Sequence, residues 1–180
     1  MKWLIASDIH GSYHYCKKLV EAYKIENADK MLLLGDILYH GPRNDLPCEY
    51  GPKDVISLLN NISDKILCVR GNCDTEVDQM VLDFNVLADY AIVCDGDVTI
   101  FATHGHKFSP NNLPSLNKGD VLLNGHTHVP ACENMGDYYY LNPGSVSIPK
   151  EQSWHGYIIF ENNKFTFKDF DGNIKNSLEL

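Results

Sequence analysis

Short apolar runs that stop abruptly at polar residues dominate the first half of the chain. Residues 2–7, 31–34 and 66–69 are such runs, and each reads as a buried strand opening into a loop. Residues 13–24 place Cys16, Leu19, Val20 and Tyr23 at helical spacing, and 53–60 read as a second helix with Pro52 at its first turn. Gly41, Pro42, Pro47, Gly51 and Pro52 mark 40–52 as a loop. The second half differs. Residues 86–93, 98–103, 121–124, 138–141, 156–160 and 164–170 are predicted strands, punctuated by Gly96, Gly119, Gly136 and the Asn162-Asn163 pair. Strand–helix alternation followed by a run of strands predicts a mixed α/β layer structure. No repeat or linker interrupts it, so residues 1–180 are expected to form a single domain.

The polar residues that end these runs are of one chemical kind. They are Asp8-Ile9-His10, Gly35-Asp36, Gly71-Asn72-Cys73-Asp74, His104-Gly105-His106 and Gly125-His126-Thr127-His128. Five of the eight histidines fall in these segments. Taken singly, a His after a strand is an ordinary surface residue, and Gly-Asp or Gly-Asn is an ordinary turn. Five such groups at five strand ends are not explained that way. In open α/β sheets the ligand crevice lies outside the carboxyl ends of the strands, where these groups would converge. Imidazole, carboxylate and carboxamide oxygen suit Mn, Fe, Zn, Co or Ni. Asp8, His10, Asp36, Asn72, His104, His126 and His128 exceed what one ion can use, but they can hold two if one carboxylate bridges. Two ions roughly 3.5–4 Å apart form a clamp for in-line displacement at phosphorus, with hydroxide generated near neutral pH as the nucleophile.

Charge narrows the partners. Fifteen Lys and Arg against 24 Asp and Glu give a formal charge of −9, and the basic residues are scattered. That argues against a duplex nucleic-acid groove and against an anionic membrane surface. No stretch has the length of a membrane span, and the apolar run at the start meets Asp8 too soon for a signal peptide. With six scattered cysteines and no C-x-x-C pair, the expected location is the cytoplasm, with reduced thiols.

In order and spacing, the five groups resemble the D-x-H, G-D, G-N-H-[DE], single-His and G-H-x-H motifs of the calcineurin-like metallophosphoesterase superfamily. The phrases Gly41-Pro42-Arg43-Asn44, 69–74, 76–80 and 142–147 are similar to the small bacterial YfcE-type phosphodiesterases, and the likeness reaches to about Lys150. The resemblance implies two packed mixed β-sheets flanked by helices (an αββα sandwich) with a dimetal site at one edge. By matched position it implies that Asp8, His10 and His128 hold one metal and Asn72, His104 and His126 the other, with Asp36 bridging. It also implies Mn as the expected ion, Zn, Fe, Co and Ni being alternatives. Two positions depart from the pattern. Tyr39, followed by His40, stands where the second motif often ends in Asp or Asn, and Cys73 replaces the His of the third. An ordinary thiol, with a pKa near ~8.5 against ~6.5 for imidazole, is the poorer acid at neutral pH.

The expected activity is hydrolysis of a small phosphodiester by a metal-bridging hydroxide. Cys73 and Asp74 are the candidate catalytic residues, Asp74 as a group that orients its neighbours. Asn72, Cys73, Arg43 and His106 are the candidate substrate contacts. Arg70 and Lys107 are the other basic residues near the motifs, and the 40–52 loop is a candidate wall of the pocket. The alternatives are a phosphomonoesterase or nucleotidase using the same site, and a non-catalytic interaction scaffold of the same fold. A sheet edge in the second half offers a surface for a homo-oligomer.

Overall fold

The computed structural model describes residues 1–180. In chain order the elements are β1 (Trp3–Ala6), α1 (Tyr13–Ile25), β2 (Lys30–Leu33), α2 (Pro52–Asn60), β3 (Ile66–Cys68), α3 (Glu76–Gln79), β4 (Tyr90–Asp95), β5 (Val98–Thr103), β6 (Val121–Leu123), β7 (Ala131–Asn134), β8 (Tyr139–Asn142), β9 (Gly156–Glu161), β10 (Lys164–Asp169) and β11 (Ile174–Glu179). They form a six-stranded sheet, β11-β10-β9-β1-β2-β3, and a five-stranded sheet, β4-β5-β6-β8-β7. β1, β2 and β3 run parallel, as do β5, β6 and β8, and the remaining pairings are antiparallel.

Alternation along β1 shows how two cores arise from one sheet. Leu4 and Ala6 pack with Leu19 of α1 and with Val55 and Leu59 of α2. Ile5, on the opposite face, packs with Ile100, Leu123, Ile158 and Phe160 between the two sheets. Phe160 is fully buried and stacks on Phe165 at 4.3 Å between centroids. Truncating it to Ala would cost about 3–5 kcal/mol. The Ser12 side chain caps α1 by accepting from the Tyr15 amide, and Pro52 opens α2. Both long helices lie on the six-stranded sheet. The outer face of the five-stranded sheet carries Tyr90 and Phe101, stacked at 4.8 Å, with Phe108 edge-on to them.

The predicted strand at 86–93 is corrected to Tyr90–Asp95. Val86 is buried in the helix-side core, its amide donating to Gln79 Oε1, and the Ala88 carbonyl accepts from the Arg70 amide. The 86–89 segment is therefore spent crossing from one sheet to the other. β7, β11 and the short α3 were not predicted.

Candidate metal centre

Three parallel ends of one sheet and two of the other deliver the polar groups to one edge. Asp8 and His10 follow β1, Asp36 follows β2, Asn72 follows β3, His104 follows β5, and His126 and His128 follow β6. Asp8, His10, Asp36, His126 and His128 all adopt left-handed φ, between 49° and 67°. Non-glycine residues rarely do so, and each such turn costs about 1–3 kcal/mol unless its surroundings fix it. The surroundings do fix them. A Cβ on Gly71 would collide with the Asp36 backbone amide and carboxylate, and one on Gly125 would strike Ser7 and Asp8 Oδ2. The glycines of the G-D, G-N and G-H pairs are thus required by close approach.

The histidine rings are oriented by backbone carbonyls. His10 Nδ1 donates to the Tyr39 carbonyl at 2.7 Å, His104 Nδ1 to Leu34 at 2.7 Å and His128 Nδ1 to Ile148 at 2.9 Å. A carbonyl only accepts, so in each neutral ring Nε2 is left as a bare lone pair. Those lone pairs point at one another and at more acceptors. His10 Nε2 lies 3.2 Å from His128 Nε2, and His104 Nε2 lies 3.1 Å from Asn72 Oδ1 and 3.2 Å from His126 Nδ1. Asp8 Oδ1, buried and without a hydrogen bond, sits 3.5 Å from His10 Nε2 and 3.2 Å from His128 Nε2. Asp36 Oδ2 lies 3.6 Å from His10 Nε2 and 3.5 Å from His104 Nε2, between the two groups, while Asp36 Oδ1 accepts from the Cys73 amide.

Acceptors facing acceptors in a buried site are stable only with positive charge between them, as a proton or a metal cation. The titration behaviour reflects this. Burial opposes charge on His104, but the neighbouring Asp36 and Asp8 carboxylates outweigh it and raise its pKa to about 9. Burial likewise opposes ionisation of Asp8, yet the His10 and His128 rings hold its carboxyl well below the usual range. The donor set of imidazole, carboxylate and carboxamide fits borderline divalent ions.

The carboxylate of Asp74 faces away from this cluster. It accepts from the amides of Asp36, Ile37 and Gly71 at 2.7–2.9 Å, so it clamps the β2 and β3 turns together. Burial raises its pKa to about 6. Burial and the adjacent Asp36 push the Cys73 thiol up to about 12. Cys73 Sγ accepts from Asn72 Nδ2 at 3.2 Å, which turns Asn72 Oδ1 toward His104.

A cleft of about 410 Å³ opens onto the cluster, lined by Asp36, Arg43, Asn44, Asn72, His126, Thr127, His128 and Lys150, with no hydrophobic residue. Of the predicted substrate contacts, Arg43 and Asn72 line it. Cys73 is buried beneath Gly41, and His106 stands outside the lining with its ring 5.4 Å from that of His104. Arg70 donates to the Asp74 carbonyl and pairs with Glu76, and Lys107 pairs with Asp89 at 2.7 Å, so neither lines the cleft. Sequence reasoning missed Asn44, Thr127 and Lys150. It also gave no role to the support behind Asp8, where Ser145 and Ser147 hydroxyls donate to the Asp8 carbonyl at 2.8 and 3.1 Å and Asn142 Nδ2 donates to Gly125. The 142–147 phrase was the available signal.

Residues 1–164 match the calcineurin-like phosphoesterase superfamily domain. The chain belongs to this superfamily. The superfamily likeness extends to individual proteins. The chain is 47% identical to Phosphodiesterase YfcE of Escherichia coli over 163 residues, 91% of this chain and 89% of that one. It is 28% identical to a phosphodiesterase of Methanocaldococcus jannaschii, with 80% and 83% covered. A solved structure of YfcE, a phosphoesterase from E. coli, superimposes with a TM-score of 0.96 at 44% identity, covering 99% of this chain and 98% of that one. Vacuolar protein sorting 29 of Cryptosporidium parvum, at TM-score 0.66 and 17% identity, shares the fold.

Proposed function

We propose that this superfamily member is a dimetal phosphodiesterase acting on a small phosphodiester, with Mn as its ion and the cytoplasm as its location. The observation that carries the reading is the convergence of imidazole, carboxylate and carboxamide ligand atoms described above, split into two groups with Asp36 Oδ2 between them. Asp8, His10 and His128 would hold one ion, Asn72, His104 and His126 the other, and Asp36 both. Two such ions supply a nucleophile from water near neutral pH and stabilise charge developing at phosphorus.

The chain's own residues prepare that chemistry. Carbonyls of Tyr39, Leu34 and Ile148 fix the imidazole tautomers, a task that normally falls to partners just behind the ligands. Asn72 and Arg43 line the cleft as substrate contacts. Asp74 and Cys73 are assigned as positioning residues rather than catalytic ones, because Asp74 spends its oxygens on backbone amides and the Cys73 thiol, with its pKa about 12, stays protonated. The 47% identity to a phosphodiesterase supports the diester over the monoester. The absence of hydrophobic residues from the lining and the net charge of −9 favour a small polar substrate over duplex nucleic acid. No helix is long and apolar enough to cross a membrane.

One fold unit over residues 1–180 is part of the reading, supported by β10 and β11 completing the same sheet as β1. A homo-oligomer is also part of it, because the edge strand β4 exposes about half of Tyr90 and Ile92. Hydrolysis of bis-p-nitrophenyl phosphate and p-nitrophenyl phosphate, measured side by side with Mn, tests the assignment. Diester turnover that exceeds monoester turnover is expected. The reverse preference would move the chain to the phosphomonoesterases, and no turnover with metal bound would favour the scaffold.

A further inference from the structure

We propose that the mouth of the metal cleft holds a subsite for a second anionic group of the substrate, a carboxylate or phosphate on the diester's far arm, bound by Lys150 and Arg43. The proposal rests on the phosphodiesterase reading and adds a substrate class to it.

The two cations reach the cleft from separate segments, and each segment is tied to a candidate metal ligand. The Lys150 amide donates to the His128 carbonyl at 3.0 Å, and the Lys150 carbonyl accepts from the Ser153 amide and hydroxyl at 3.0 and 2.6 Å. Glu151 and Gln152, both left-handed, close this turn. On the other side, the Tyr39 carbonyl holds His10, and Asn44 Nδ2 donates to the His40 carbonyl at 2.8 Å, fixing the turn that carries Arg43. Both side chains are solvent-exposed and neither makes an ion pair, whereas the other basic residues near the site, Arg70 and Lys107, are paired with Glu76 and Asp89.

In a chain of net charge −9, two free cations at the rim of one cleft create a local positive field. The scissile phosphate of a diester carries a single negative charge, and the metal cluster at the cleft floor is placed to take it. Positive charge at the rim then meets what lies beyond the scissile group. The lining contains no hydrophobic residue, and its only rings are the imidazoles of His126 and His128, so it offers little to an acyl chain. The arm that fits is short, hydrophilic and anionic.

The test uses Mn-loaded protein and three p-nitrophenyl phosphodiesters whose second arm ends in a carboxamide, a carboxylate or a phosphonate. The wild type is expected to favour an anionic arm over the carboxamide by about tenfold in kcat/KM, the scale of one charge-assisted contact. Lys150→Gln and Arg43→Gln should each bring that ratio toward one, and added salt should compress it. Preference for carboxylate or for phosphonate tells the two sources of the anion apart. A wild-type ratio near one, with the carboxamide diester still hydrolysed, would overturn the subsite and leave the phosphodiesterase reading standing. Equal losses on all three probes in the variants would also overturn it, because the cations would then serve the scissile phosphate. No hydrolysis of any probe would overturn the reading on which the subsite rests.

Discussion

The two halves of the candidate metal centre are built from similar side chains in unlike surroundings. On one side Asp8, His10 and His128 are at most 3% exposed and sit on three left-handed turns. Behind them Ser145, Ser147 and the carbonyls of Tyr39 and Ile148 supply hydrogen bonds. On the other side His104 is equally buried, but Asn72 is exposed and His126 is half-buried; the cleft is lined by both of these and, from the first half, by His128 alone. The first half is over-determined by the protein, whereas the second is completed at the surface. On the proposed assignment, ligand sets of the same size would hold one ion tightly and present another to substrate and solvent.

The comparison breaks most severely at Asp36, which belongs to both halves. Asp36→Asn is expected to lower kcat/KM on a diester by more than about a hundredfold, beyond what loss of an outer-sphere partner costs, and to reduce bound metal. Metal analysis alongside kinetics checks this. Gly71→Ala comes next, because its new Cβ would strike Asp36. It should destabilise the fold by about 2–4 kcal/mol, read by denaturant unfolding, and impair turnover.

Single-ligand changes sharpen the contrast. His126→Ala should leave one ion firmly held by the closed half. His128→Ala should loosen that ion and lower thermal stability as well. Native mass spectrometry and thermal melts of the two variants separate these outcomes, and identical metal loss in both would erase the distinction. A smaller effect is expected behind the ligands, where Ser145→Ala removes a hydrogen bond to the Asp8 carbonyl and should cost about 1 kcal/mol in a melt.

Proton and metal compete for the same positive role, so pH reports on the cluster. His104 rises from 6.5 to about 9 in the metal-free fold. A raised folded pKa contributes stability that is complete below 6.5 and is lost as pH climbs through about 9. A bound ion replaces that proton. The melting-temperature gain from adding Mn to chelated protein should therefore be larger near pH 9 than near pH 6.5.

Much of this was legible because it rests on local rules. Apolar runs ending in Asp, His or Asn located β1, β2, β3, β5 and β6, and their common direction brought those ends together. β7 and β11 were missed because Ala131–Asn134 and Ile174–Glu179 carry few buried side chains, so these edge strands are held by backbone pairing that leaves no periodic signature. Val86 misled because it is apolar for the helix-side core rather than for a strand. In the site, residue type and spacing exposed the candidate ligands. Lys150 and Asn44 carry no such mark, since only the folded turns bring them to the cleft. The covering of the Cys73 thiol by the Gly41 turn is likewise a packing that sequence spacing does not express.

The most direct measurement is diester hydrolysis by fully chelated protein as Mn is returned stepwise, with bound ions counted at each step. Negligible turnover is expected with no ion, little with one, and full activity as the second ion fills the open half. Full activity without metal, or saturation at a single bound ion, would contradict the dimetal assignment.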